Sequence, residues 1–174
     1  MLTARTYHPH VHGTPFDRLV LDYEARFLRR KVLTMASGAG LLVDLAQTTS
    51  LDDGGVLVTT EGHEIAVEAA AEPLLAITAP DLPRVAWHVG NRHTPCQIEA
   101  GRLLIRPDHV IRAMLEQLGA TVGEVTEPFT PEGGAYGHGR THGHDHSHSH
   151  SHAEAHGDAH ARAHAAAHDH PHGP

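Results

Sequence analysis

The stretch LLAITAPDLPRVAWHVGNRHTPCQIEAGRLLIRPDHVIRAMLEQLGATVGEV, residues 74–125, alternates between two hydrophobic periodicities, and their order decides the fold. Leu74-Leu75-Ala76-Ile77 is a short apolar run that reads as a strand. Pro80-Asp81-Leu82-Pro83 opens a helix, with Asp81 as N-cap and Pro83 in the first turn. Val85, Ala86 and Val89 recur at helical spacing, and Gly90-Asn91 closes the helix. Two short strands follow, at Cys96–Glu99 and Leu103–Ile105, with Gly101 between them. Asp108 caps a second helix whose Val110, Ile111, Met114, Leu115 and Leu118 make one apolar face, stopped by Gly119. Thr121–Val125 reads as the last strand. The order β-α-β-β-α-β is that of a ferredoxin-like unit.

Upstream, residues 16–79 read as β. Leu19–Leu21, Arg26–Val32, Leu41–Val43, Val56–Val58 and Glu64–Val67 are short apolar or alternating runs. Gly38-Ala39-Gly40, Asp52-Asp53-Gly54-Gly55 and Glu61-Gly62 separate them as turns. The chain is thus expected to be α+β. A small all-β domain over 1–79 precedes a ferredoxin-like domain over 80–137, whose first strand lies near 74–78. A His-rich tail occupies 138–174.

The tail is a distinct chemical object. Of 20 histidines in 174 residues, 13 fall between His138 and His172, and after Gly137 there is no Leu, Ile, Val, Met, Phe, Tyr or Trp. Such a segment lacks the apolar surface to offset the entropy of ordering, so disorder without a ligand is expected. His142, His144, His146, His148, His150 and His152 alternate with Gly, Asp or Ser, which places imidazoles on one side of an extended chain. His144, His148, His152, His156, His160, His164, His168 and His172 also form an unbroken step of four, which pairs neighbours on a helix face. His138 and His170 complete the set. Neutral imidazole suits Ni(II), Cu(II) and Zn(II) rather than Mg or Ca. Ligand histidines must be neutral, so loading releases protons and weakens as pH falls through about 6.5.

Charge and motif content exclude several classes. A formal charge of −8 argues against a broad nucleic-acid face. No apolar run approaches the roughly 20 residues of a membrane span. The N-terminus lacks a secretory signal pattern, and the lone Cys96 suits a reducing compartment, so a cytoplasmic protein is expected. There is no P-loop, Gly-x-Ser-x-Gly elbow or His-Glu-x-x-His helix, so no enzyme is expected.

Trp87-His88-Val89-Gly90-Asn91-Arg92-His93-Thr94-Pro95 carries the sharpest signal. Together with Asp108–Leu115, Leu118-Gly119, Phe129–Tyr136 and the polyhistidine tail, it resembles the urease accessory metallochaperone family UreE. The resemblance implies a homodimer formed through the ferredoxin-like domains, with His93 facing its mate across the two-fold axis and the pair holding Ni(II). It also implies hand-over to the accessory GTPase (UreG type) and to apo-urease. His109 falls where some relatives carry the second of two histidines. Pro107 occupies the earlier place, so His109 is either a second-site ligand or a solvent-facing residue in a helix's first turn. The other reading open for the chain is storage or detoxification of nickel, zinc or copper by the tail, with delivery to hydrogenase a more distant one.

Several smaller features have plainer expectations. His88 is expected as a packed or partly exposed helix histidine, Arg92 as an ion pair or a contact to a helix C-terminal carbonyl, and Cys96 as a buried strand residue rather than a soft ligand. Arg29-Arg30-Lys31 suits a strand edge or a partner contact. His8, His10 and His12 form either a weak extended metal site or a hydrated terminus.

Overall fold

The structure, a computed structural model, describes residues 1–11 and 13–133. The expected tail histidines and His12 lie outside these residues.

Seven strands come first: β1 (Leu2–His8), β2 (Asp17–Leu21), β3 (Phe27–Thr34), β4 (Gly40–Ser50), β5 (Val56–Thr59), β6 (Glu64–Ala69) and β7 (Ala71–Thr78). There follow α1 (Leu82–Gly90), β8 (Cys96–Ile98), β9 (Leu103–Ile105), α2 (His109–Gln117) and β10 (Thr121–Pro128). The first six strands form one sheet in the order β2-β6-β5-β1-β4-β3. The rest form a four-stranded sheet, β10-β7-β9-β8, whose pairs are all antiparallel. That order, with helices after its first and third strands, is the ferredoxin-like topology. The chain changes sheets at Ala70, between β6 and β7, so the strand read at 74–78 belongs wholly to the second domain.

The first sheet corrects the reading in three places. β1 was not anticipated, yet it lies inside the sheet, parallel to β4 and antiparallel to β5. Its only fully buried residue is Ala4, too small to register as a hydrophobic signal among Thr3, Arg5 and Thr6. β4 continues seven residues beyond Val43, to Ser50; Leu41, Val43 and Leu45 point into the core while their neighbours do not, the period-two pattern of a strand with one covered face. Arg26 does not open β3. It lies in the turn before it, where its backbone N–H bonds to the Asp22 carbonyl at 3.1 Å. Arg29, Arg30 and Lys31 do line an edge strand, all exposed, where charge discourages unwanted strand pairing.

In the second domain both N-caps form as the sequence suggests. The Asp81 carboxylate accepts from the Arg84 N–H at 3.2 Å, and Asp108 accepts from Val110 and Ile111 at 2.8 and 2.9 Å. Each helix docks on residues four apart, Val85 with Val89 and Ile111 with Leu115. Val110 leaves the expected face and is 63% exposed, because it lies about 100° around the helix from Ile111. Gly119 ends α2 in the left-handed region at φ 82, which glycine adopts without a Cβ clash.

β9 is buried on both sides. Leu103 and Ile105 meet the helices, while Leu104 joins Leu74, Tyr23 and Phe129 on the opposite face. That opposite face is covered by two pieces: Tyr23 from the first domain, and Phe129, which is fully buried just past β10. Their rings meet edge to face at 5.3 Å. Arg26, only 4% exposed, donates to the carbonyls of Phe129 and Leu51. The Tyr23 N–H donates to Glu72 Oε1 at 2.8 Å, and Arg106 pairs with Glu24. One turn of the β domain is therefore keyed into the back of the ferredoxin-like sheet.

Candidate metal centre

His93 is positioned by the end of α1. Val85 and Val89 anchor the helix, and the chain unwinds through successive backbone bonds: Asn91 N–H to Trp87 O at 3.0 Å, Arg92 N–H to Val89 O at 3.0 Å, and His93 N–H to Gly90 O at 2.9 Å. Arg92 Nη1 donates to the His88 carbonyl at 3.0 Å, the helix-end contact expected of it. The helix closes at Gly90 as read, with Asn91 as its C-cap in right-handed geometry. The left-handed residue is His93 itself, at φ 54, unique among the described non-glycine residues. A non-glycine residue there carries roughly 1–2 kcal/mol of backbone strain. The side chain at this position is exposed.

The neighbours of His93 sort cleanly. His88 is half-buried with its ring edge-on to Trp87 at 4.9 Å, a packed helix histidine. Trp87 is 65% exposed on the same helix, a large apolar surface open to solvent. Cys96 opens β8 half-buried against the helix-side core, and burial pushes its thiol up to about 11. It is therefore protonated at neutral pH and poorly suited to metal capture. Alkylation of Cys96 at pH 8 is expected to run roughly a hundredfold slower than for an ordinary cysteine, and to accelerate only as pH approaches 11. A rate profile with iodoacetamide checks this; rapid labelling at pH 8 contradicts it.

His109 is the first residue of α2 and is exposed. It lines a cleft of about 610 Å³ with Pro107, Asp108, Arg112 and Glu124, but Arg112 pairs with Glu124 at 3.2 Å, so the cleft presents an ion pair rather than a set of ligands. His8 ends β1 and His10 lies in the bend after it, both exposed, so these two do not share one extended strand. Among the described residues, no three of His, Cys, Asp and Glu gather as a metal cage. Two features escaped the sequence reading altogether: the buried Arg26–Phe129 contact, and Gln97, whose amide oxygen accepts from both Thr130 N–H (2.7 Å) and Thr130 Oγ1 (3.3 Å). Neither has a local signal, since both join residues more than thirty apart in sequence.

The fold defines a two-domain protein, a β domain keyed to a ferredoxin-like domain that displays one exposed histidine of positive φ at a helix end. Residues 2–70 match the family described as UreE urease accessory protein, N-terminal domain, and residues 72–173 match its C-terminal domain. A urease accessory protein UreE from Ruegeria sp. (strain TM1040) is 72% identical over 141 residues, 80% of each chain. That of Ruegeria pomeroyi is 62% identical over 125 residues, covering 72% of this chain and 84% of the relative. That of Paracoccus denitrificans is 58% identical over 128 residues, covering 73% and 82%. The chain belongs to the UreE urease accessory protein family. Among the described residues no helix is long and apolar enough to cross a membrane.

Proposed function

We propose that this chain is a dimeric Ni(II) carrier of urease maturation, working in the cytoplasm and without enzymatic activity of its own. The observation that carries the reading is His93: exposed, in a strained left-handed conformation, in a chain whose relatives are named urease accessory proteins. One imidazole is a weak metal site. Two protomers related by a two-fold axis bring the same residue together from both sides and make a two-imidazole site. Exposed Trp87, six residues earlier, supplies apolar surface suited to cover by the second copy. A site with two protein nitrogens leaves coordination positions open, so a receiving protein can add ligands before the donor lets go. The receivers in this reading are the accessory GTPase and the apo-urease complex.

The tail histidines, from His138 to His172, act as the collecting array, with Zn(II) and Cu(II) as competitors, since imidazole binds these ions as well. His109 is placed as an accessory ligand at most, because its cleft is occupied by the Arg112–Glu124 pair.

Nickel titration of a chain ended after Gly137, with mass measured in parallel, tests the reading. The expected result is a dimer that retains one tight Ni(II) while most of the metal bound by the full chain is lost. Absence of any tight site in the shortened chain overturns delivery and leaves metal storage by the tail.

A further inference from the structure

The connector between His93 and the sheet has little freedom of its own. Pro95 has its φ fixed by the ring, and Thr94, as the residue before a proline, is confined to extended geometry. His93 is thus held from two sides: by α1, through its N–H bond to the Gly90 carbonyl at 2.9 Å, and by β8, through Thr94-Pro95. Of these two anchors β8 is the weaker. It is three residues long, lies at an edge of the four-stranded sheet, and among the described residues pairs with β9 and no other strand.

Support for β8 comes from the far side of the sheet. β10 is the opposite edge, and the chain does not simply run on from it. Phe129 turns under the open face between Leu74 and Leu104, with its carbonyl held by Arg26, and the next residues reach the β8 edge. Glu132 donates its N–H to the Cys96 carbonyl at 2.9 Å. Thr130 donates both its N–H, at 2.7 Å, and its hydroxyl, at 3.3 Å, to Gln97 Oε1. Gln97 is oriented for this. Its Nε2 donates to Glu99 Oε1 at 2.8 Å, and Arg102 binds Glu99 at 2.6 Å and Glu127, on β10, at 2.6 and 3.1 Å. The amide is thereby fixed with its oxygen toward Thr130, and both edges of the sheet bear on one clamp.

We infer that Gln97 is a positioning residue for His93: it clamps residues 130–132 onto β8 and so keeps the β8 side of the His93 turn from fraying. The inference deepens the carrier reading above and rests on it, because a two-imidazole site binds well only when both rings are presented in one geometry. Gln97 does not touch the metal in this arrangement. It acts through Cys96 and the stiff Thr94-Pro95 connector, as an outer partner that orients a ligand.

Two measurements on the full chain separate the clamp from the carrier reading. The first is amide hydrogen exchange without metal. Gln97→Met keeps the side-chain volume and removes the acceptor; it is expected to speed exchange at Thr130, Glu132 and His93 by roughly tenfold, with the global unfolding midpoint unchanged. The second is titration with Ni(II) alone, in which the binding absent from His93→Ala reports the His93 site. That binding is expected to weaken by roughly tenfold in Gln97→Met. Gln97→Glu combined with Glu99→Gln leaves an oxygen for the Thr130 N–H and exchanges donor and acceptor across the pair, so it is expected to restore both readouts. Arg102→Gln, which leaves Gln97 in place but unmoors Glu99, is expected to give the same changes at smaller size, and serves if Gln97→Met folds poorly. Nickel binding at the parent affinity in Gln97→Met overturns the proposal, as does faster exchange at Thr130 with none at His93. No His93-dependent nickel binding in the parent overturns the carrier reading instead, while the exchange data still report whether Gln97 governs the turn.

Discussion

Phe129→Ala is expected to lower the unfolding free energy by about 3–5 kcal/mol, the range for removing a fully buried aromatic side chain. The cost has three sources. The transfer of the ring from water is lost. A cavity opens between Leu74 and Leu104, which lie on a sheet and cannot collapse toward each other. The edge-to-face contact with Tyr23 at 5.3 Å disappears as well. Because Arg26 binds the carbonyl of the same residue, any shift of the backbone at 129 also leaves a buried guanidinium short of an acceptor. Phe129→Leu should cost much less, because a branched aliphatic fills most of the same space. Equilibrium denaturation of both variants measures this, and a loss below about 1 kcal/mol for the alanine would show that the open face is filled by something else. Arg26→Met and Phe129→Ala are expected to be non-additive, since Arg26 binds the backbone carbonyl of residue 129 and any shift there after loss of the ring is felt by both.

In the proposed carrier reading, His93→Ala is expected to abolish tight Ni(II) binding rather than halve it, because one substitution removes both imidazoles of the proposed symmetric site. His93→Gly should abolish it equally, but with the opposite effect on stability from an ordinary loss-of-function change. At φ 54 a glycine carries no Cβ penalty, so this variant is expected to be more stable than His93→Ala by roughly 1 kcal/mol, and to match or exceed the parent. Thermal unfolding with nickel excluded, beside a nickel titration, measures both halves. Glycine and alanine variants of equal stability would mean that the turn relaxes out of the left-handed region. Retention of the tight site in either variant would place the ligands elsewhere.

The second domain was legible from sequence in the order and type of every element, with β7 opening three residues earlier and β10 ending three residues later than read, because its signals are local. Asp81 and Asp108 cap with side chains two or three residues from the N–H groups they satisfy, Gly119 stops α2 by its own φ, and apolar residues four apart mark each helix's inner face. The exposed Val110 shows the limit of that logic: an apolar side chain at the margin of a helical stripe does not reveal which of its neighbours the sheet will cover. β1 was illegible for the complementary reason. A strand buried through a single alanine between two partners owes its place to backbone pairing with β4 and β5, which leaves almost no trace in its own composition.

Composition, spacing and capping were enough to mark a ferredoxin-like unit behind a β domain and a polyhistidine tail suited to borderline metals, while His93 was singled out by the resemblance of its motif to the UreE family. They depend on interactions within a few residues, or on side-chain chemistry that does not depend on the fold. The left-handed backbone of His93, the burial of Arg26 against Phe129, and the passage of the chain from the β10 edge to the β8 edge were decided only by tertiary structure. The last two are contacts across dozens of residues, formed because a sheet face must be covered and a buried polar group must find its partner, and neither demand is written in any one segment.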